Sequence, residues 1–173
     1  MSKKKHIFVI GLIIFLCFLF CLPLILPLNK VVVEESYLEF CSYLDVNLIH
    51  FVKDHKIPFW SFHFGGGYPF IKHPDNISLS PLFYLLILPF GSGVGLKLLL
   101  FLSYAVGAAG FYLFVNRILR YNLITSGITT MIFIFNSFIP FQLNTGNIKN
   151  QGWLYLPLIT YILFLSKKKQ KCI

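Results

Sequence analysis

Acidic residues are scarce in this chain and are confined to one stretch. Only six residues are Asp or Glu, against fifteen Lys and Arg, and all six lie between Glu34 and Asp75. Charged residues make up 12% of the chain, whereas hydrophobic residues make up 57%. A soluble domain of this length needs more polar surface, so the composition excludes that class and predicts an all-α integral membrane protein.

The motifs of several functional classes are missing as well. The four cysteines include no CxxC and no zinc-ligand spacing, and Cys17 and Cys21 lie in an apolar run, where we expect them to pack as small apolar groups. No Gly-rich phosphate loop, Walker element or Ser/His/Asp set is present. The basic residues lie at the ends of apolar runs and not in a patch interleaved with base-stacking aromatics, which argues against nucleic acid as a partner.

The first apolar run, Ile7 to Leu28, follows a basic start and so resembles a signal peptide. It is longer than the apolar core of a signal peptide, which has about 7–15 residues. No alanine precedes Ala105, so an A-x-A cleavage site is missing. We therefore expect an uncleaved signal anchor.

The apolar runs predict about four transmembrane helices, one large external loop and one interfacial helix. Residues 81–90 are apolar but too short to cross a bilayer, so an interfacial or re-entrant helix is expected there, followed by a turn from Gly91 to Gly95. Lys97 is expected to snorkel at the outer end of the next span. The external loop covers about residues 29–80, and the spans are predicted at about 7–28, 96–119, 123–141 and 153–165.

The basic residues give this topology an orientation. With the N-terminus inside, the lysines of residues 3–5, Arg117, Arg120 and the lysines of residues 167–171 all lie on the cytoplasmic side, as the positive-inside rule requires. If residues 81–90 formed a full span, Arg117, Arg120 and the C-terminal lysines would lie on the outer side of the membrane, against this rule. We therefore predict a multi-pass protein of the cell membrane with cytoplasmic N- and C-termini and membrane lipid as a partner.

Two features of the predicted spans bear on their role. Ser103, Gly107 and Gly110 share one helical face, where small residues let a neighbouring helix approach closely. That face could instead form a hinge or a substrate groove, but packing is the preferred interpretation. No carboxylate lies in a predicted span, which disfavours a proton relay or an ion-coupled transporter.

The external loop carries the densest pattern of the chain, KIPFWSFHFGGGYP from Lys56 to Pro69. The prolines fix the local backbone, and three consecutive glycines allow positive φ or close approach. The aromatic residues favour one of two structures. They form an interfacial aromatic belt on the membrane surface, or they form a lid over a lipid-linked substrate.

This loop resembles the first external loop of GT-C-type membrane glycosyltransferases, particularly the YfhO-like and related multi-span families. The resemblance is carried by IPFWSFHFGGGYPF and by LSPLFYLL after it. It extends through LFLSYAVGAAGFYLFVNRIL, SGITTMIFIFNS and NTGNIKNQGWLYLPLI, and so covers essentially the whole chain.

The resemblance implies an enzyme that takes a sugar from a polyprenyl-phosphate donor at the outer membrane face, in the assembly of envelope glycolipid or polysaccharide. An acidic residue of the first external loop serves such enzymes as general base or helps to bind a metal, so a divalent metal stays open as a cofactor. Glu34, Glu35, Glu39 and Asp45 are the residues of this kind that lie early in the loop. The assignment stays open between Glu35, Glu39 and Asp45, and each has a solvated loop charge as its alternative.

Other loop residues are candidates for binding the donor. Trp60 and Tyr68 belong to the aromatic pattern, and His63 lies within the same motif. Lys56 and Lys72 could meet phosphate oxygens or only neutralise the loop's acids. The loop's four histidines show no H-x-x-x-H spacing, so they predict no metal site.

The members of these families have many more spans than the four expected here. We therefore expect the N-terminal part of an enzyme that is incomplete as a 173-residue chain and depends on further transmembrane helices of the same or another chain. The alternative is a non-catalytic membrane scaffold or lipid-binding subunit.

Overall fold

The computed structural model describes residues 3–26, 52, 55, 59–61, 66–69, 81–144 and 148–170. These residues are mostly helical, as the composition predicts. Five α-helices, a π-helical turn, a 3₁₀ helix and two very short strands follow one another along the described parts of the chain. In order they are α1 (Lys3–Ile25), β1 (Trp60–Ser61), β2 (Tyr68–Pro69), α2 (Pro81–Leu113), the π-turn (Phe114–Ile118), α3 (Leu123–Ile134), α4 (Phe138–Asn144), the 3₁₀ helix (Ile148–Tyr155) and α5 (Leu156–Gln170).

Two of the described helical segments are long and apolar enough to cross a bilayer. They are Lys5–Pro23, with a mean hydropathy of 2.7, and Leu85–Ile118, with a mean hydropathy of 2.1. Only 17% and 33% of their most apolar windows are buried, whereas the core helix of a soluble protein is mostly buried. The helices Leu123–Ile134 and Gly152–Lys167 are apolar but shorter.

The chain divides into two units by its internal contacts. The first contains residues 1–23, 100–139 and 151–173, and the second contains residues 24–99 and 140–150. Helix α2 contributes its early part to the second unit and its part from Leu100 onward to the first.

The helices of the first unit alternate in direction. His6 of α1 contacts Tyr112 of α2, and Phe20 contacts Tyr104, so α1 and α2 run antiparallel. The contacts of Gly127 with Val9 and of Phe135 with Phe20 show in the same way that α3 runs parallel to α1. Along α2 and the segment that leads into α5, Gly107 meets Leu154 and Phe114 meets Phe164, so these two run parallel.

Helix α1 buries one narrow stripe. Ile13, Cys17 and Cys21, four residues apart, are at most 3% exposed and lie on one helical face. Large apolar side chains on the rest of the helix stay exposed, including Ile7 at 69% and Phe8 at 71%. The two cysteines are free and buried, which agrees with the packing role predicted for them.

Helix α2 folds back on itself at Gly91. This glycine has φ 74° and ψ 173°, outside helical geometry. A Cβ built on Gly95 would lie 2.8 Å from the carbonyl oxygen of Leu86 and 2.9 Å from the Cα of Ile87. In a straight helix, residues nine apart are about 13 Å apart along the axis, so residues 81–90 must pack back against the start of the following helix.

The break at Gly91 gives a prediction, and Gly93, two residues later, provides the matched control. Gly91→Ala places a side chain in a region of φ and ψ that is essentially restricted to glycine, and we expect it to destabilise the protein by about 1–3 kcal/mol. Gly93 does not have a positive φ, and a Cβ there meets nothing within 4 Å. Gly93→Ala should therefore be neutral or stabilise by up to about 1 kcal/mol. Thermal midpoints of the two variants in detergent measure the difference, and equal midpoints would contradict the strained break.

Lys97 differs from its prediction. Its side chain is 2% exposed, so it is enclosed by protein and does not snorkel out of the end of a span. The sequence pattern predicts that residues 81–90 form a separate interfacial helix. On that prediction nothing covers Lys97 at the start of the next predicted span. In the structure residues 86–87 pack against Gly95 and Lys97 is buried, so the prediction of a snorkelling lysine is wrong.

The small-residue face of α2 packs closely, as predicted. A Cβ on Gly107 would lie 2.7 Å from the carbonyl oxygen of Leu154, and one on Gly110 would lie 2.6 Å from the Cβ of Leu158. Ser103 Oγ and Tyr155 Oη form a hydrogen bond of 2.5 Å on the same side of the helix. These small residues therefore bring two helical segments to backbone contact.

The segment predicted as one span over residues 123–141 is interrupted. Helix α3 ends at Ile134 and α4 begins at Phe138. Between them the side chain of Asn136 donates to the carbonyl oxygen of Phe133 and accepts from the backbone N–H of Phe138 at 2.8 Å. A short polar side chain that bonds to nearby backbone competes with helix continuation, which explains the break.

Candidate functional site

Residues 60–61 and 68–69 form a small antiparallel hairpin inside the conspicuous loop motif. Trp60 pairs with Pro69, and Ser61 pairs with Tyr68. Pro69 has no backbone N–H, and proline in a ladder is confined to edges, which fits a two-residue strand pair. The hairpin belongs to the second unit.

Glycine is required at the turn of this hairpin. Gly66 has φ +80° and Gly67 has φ +108°, conformations that L-residues with side chains rarely adopt. A Cβ on Gly67 would overlap the indole of Trp60. The absence of a side chain at residue 67 therefore allows the Trp60 ring to lie directly against Gly67, the residue before the second strand.

The hairpin presents aromatic surface. Phe59 is 77% exposed, and Trp60 is 47% exposed although one part of its ring lies against Gly67. An indole offers a large apolar face and a single N–H donor, so it suits a boundary between apolar and polar surroundings. The arrangement can stack on or cover a ligand that is apolar at one end and polar at the other.

The predicted site residues fall into two groups. Trp60 and Tyr68 lie on facing strands of the hairpin, where the backbone of Tyr68 pairs with Ser61. The other predicted residues lie outside the described residues, so the structure leaves their placement untested: Asp45, Glu39, Glu35, His63, Lys56 and Lys72.

The described residues contain no group of three or more His, Cys, Asp or Glu side chains that could hold a metal ion. All six carboxylates of the chain lie outside those residues. A bound divalent metal therefore stays a prediction from the family resemblance, and the described residues contain no group of side chains that tests it.

The sequence pattern missed one contact between polar residues. Nδ1 of His6 in α1 and Oη of Tyr112 in α2 lie at hydrogen-bond distance, 2.8 Å. Their rings meet edge to face, with centroids 6.2 Å apart. The two residues are 106 positions apart and share no motif, so only the antiparallel packing of the two helices reveals the pair.

Comparisons of the chain with protein-family models, with curated proteins and with solved structures found no match.

Proposed function

We propose that this chain is the donor-binding part of a membrane enzyme that transfers a sugar from polyprenyl phosphate to an acceptor at the outer membrane face. The proposal joins the loop resemblance to two features of the described structure. These are the exposed apolar helices and the aromatic hairpin. Of the two, the hairpin carries the proposal.

The helices of the first unit support a four-span arrangement. Helices α1 and α3 run in one direction, and α2 and α5 run in the other. Four successive crossings of a bilayer require this alternation. The positive-inside rule supports an orientation with both termini in the cytoplasm and the loop that contains the hairpin outside.

The aromatic hairpin supports a site for a lipid-linked sugar. A polyprenyl-phosphate sugar has an apolar chain and a polar head, and it lies at the membrane surface where those parts meet. Exposed Phe59 and Trp60 provide an apolar face at such a boundary. The indole lies against Gly67, and this contact reduces the cost of ordering the ring on binding.

The chemistry of the proposed reaction assigns roles to the loop's charged residues. The acceptor hydroxyl attacks the anomeric carbon, the bond from that carbon to the phosphate oxygen breaks, and polyprenyl phosphate leaves. One carboxylate of Glu35, Glu39 or Asp45 takes the hydroxyl proton. Lys56 and Lys72 balance the negative charge on the departing phosphate.

The test of this proposal is binding of a photoactivatable polyprenyl phosphate to the full chain in lipid nanodiscs. We expect saturable cross-linking that unlabelled polyprenyl phosphate competes away. Trp60→Ala should weaken it about tenfold or more, because an indole is a large share of the apolar contact. Leu85→Ala is the control, since Leu85 is also apolar and 66% exposed in the same unit. Equal cross-linking of the two variants would argue against the hairpin as the site.

The alternative function is a non-catalytic membrane scaffold or lipid-binding subunit. The observation that favours it is the backbone contact made by Gly107 and Gly110, because such close helix packing serves assembly without any chemistry. On this alternative the loop carboxylates tolerate replacement while the two glycines do not.

A further inference from the structure

A cavity of about 210 Å³ opens at one end of the first unit, beside the His6–Tyr112 pair. It lies between the first turns of α1 and the last turns of α2 with the π-turn that follows. No residue of the aromatic hairpin lines this cavity. Its lining residues are His6, Ile7, Ile10, Tyr112, Leu113, Asn116 and Arg117.

The polar lining of the cavity is held in place by packing and hydrogen bonds. Tyr112 is 1% exposed, and its hydroxyl lies 2.8 Å from Nδ1 of half-buried His6. Asn116 Nδ2 donates to the carbonyl oxygen of Tyr121 at 3.0 Å and lies 3.5 Å from Ser126 Oγ. The site is therefore anchored to α1, to α2 and to the start of α3.

The π-turn sets the position of the cavity's cation. Phe114–Ile118 is π-helical, with the backbone N–H of Leu119 bonded to the carbonyl oxygen of Phe114. Such a turn holds one more residue than an α-helical turn, so the side chains after it are rotated relative to a regular helix, and π-turns are frequent at functional sites. It presents exposed Arg117 at the cavity, which Tyr112 also lines.

This end of the unit is basic and partly apolar. Lys5 and Arg120 are exposed and lie within three residues, in sequence, of the lining residues His6 and Arg117, and no acidic residue occurs in residues 1–33 or 76–173. Ile7, Ile10 and Leu113 provide the apolar part of the lining. A guanidinium with hydroxyl and imidazole groups suits a phosphate, and the apolar wall suits the glycerol or acyl portion that a phospholipid adds.

We propose that this cavity binds a phosphate group, with Arg117 as its charge partner and the His6–Tyr112 pair as its hydrogen-bonding partners. The phosphate belongs to an anionic phospholipid headgroup or to a soluble phosphate. The two sources share the same recognition chemistry, and the experiment separates them.

The experiment measures binding of phosphatidylglycerol to the full chain by native mass spectrometry, with diacylglycerol of the same acyl chains as the probe without phosphate. We expect saturable binding of phosphatidylglycerol alone. Arg117→Gln should weaken it about tenfold or more, because it removes a charge-assisted hydrogen bond. Arg120→Gln is the matched control. It removes one positive charge from the same end but does not line the cavity, and it should change the affinity less than about twofold.

Two further arms complete the experiment. Tyr112→Phe keeps the ring and removes the hydroxyl, so it should weaken binding about threefold or more even if Arg117→Gln folds poorly. Competition by millimolar inorganic phosphate identifies a soluble phosphate as the source, and failure to compete identifies the lipid headgroup. Equal affinities for Arg117→Gln and Arg120→Gln, or equal binding of diacylglycerol, would overturn the proposal.

Discussion

Gly110→Val is expected to destabilise the protein by at least about 2 kcal/mol, because it forces apart two helices that meet at their backbones. A Cβ at residue 110 would lie 2.6 Å from the Cβ, 2.8 Å from the Cα and 2.8 Å from the backbone nitrogen of Leu158. Backbone atoms cannot rotate away as the tip of a flexible side chain can. The added groups must therefore displace the whole of α5 or remain strained.

The matched control is Gly11→Val in α1. Gly11 is also a glycine in an apolar helix of the first unit, but it is exposed, and a Cβ there meets nothing within 4 Å. We expect a change within about 0.5 kcal/mol for this variant. For a chain of this size the Gly110 variant should lower the thermal midpoint in detergent by about 4–8 °C relative to the control. Similar midpoints for the two variants would show that the close contact with Leu158 contributes little.

Joint replacement of Glu35, Glu39 and Asp45 is expected to reduce sugar transfer at least about a hundredfold. Glu35→Gln, Glu39→Gln and Asp45→Asn keep the size of each side chain and remove its charge, so the variant lacks the proposed general base but retains polar loop surface. A positioned general base contributes about 10²–10⁴-fold to such a reaction. The three single variants should then show one large loss and two small ones, which identifies the base.

The control for this prediction comes from the same loop. Asp54→Asn and Asp75→Asn remove two other carboxylates of the stretch that holds all the chain's acids. If the loss in the triple variant comes from the missing general base and not from the lower negative charge of the loop, this double variant should transfer sugar within about twofold of the wild-type rate. The assay uses polyprenyl-phosphate-linked hexoses and pentoses as donors in native membranes, which also supply the acceptor and the further transmembrane helices that a complete enzyme needs. Wild-type transfer by the triple variant would favour the non-catalytic scaffold or lipid-binding subunit.

The helices could be predicted from the sequence because their cause is local. Continuous apolar runs predict helical segments near α1, α2, α3 and α5, and the spacing of Ser103, Gly107 and Gly110 predicts the close contact that the structure confirms. The three consecutive glycines of the loop likewise predict positive φ or close approach. Gly66 and Gly67 have positive φ, and Gly67 lies against Trp60.

Some features could not be predicted from the sequence pattern. They depend on packing between parts of the chain, or on a side chain that competes with the helix for backbone hydrogen bonds. The burial of Lys97 and the packing of residues 86–87 against Gly95 are tertiary features that hydropathy does not encode. The end of α3 depends on the side-chain hydrogen bonds of Asn136, within an otherwise apolar run. The His6–Tyr112 pair forms only because α1 and α2 pack antiparallel.

The candidate site could be predicted only in part. The exposed aromatic residues of the hairpin follow from the loop motif, and the contact of Trp60 with Gly67 explains why one glycine of that motif has no substitute. The choice among Glu35, Glu39 and Asp45 depends on which carboxylate approaches the reacting hydroxyl. No periodicity or spacing in the loop selects one of them.

The most direct test of the donor-binding account is to locate where a photoactivatable polyprenyl phosphate attaches to the wild-type chain, by mass spectrometry of its peptides. The account predicts that the competable label falls on the peptide that contains residues 59–69. Label distributed over the exposed apolar faces of α1, α2 and α5, and unchanged by excess unlabelled polyprenyl phosphate, would contradict it.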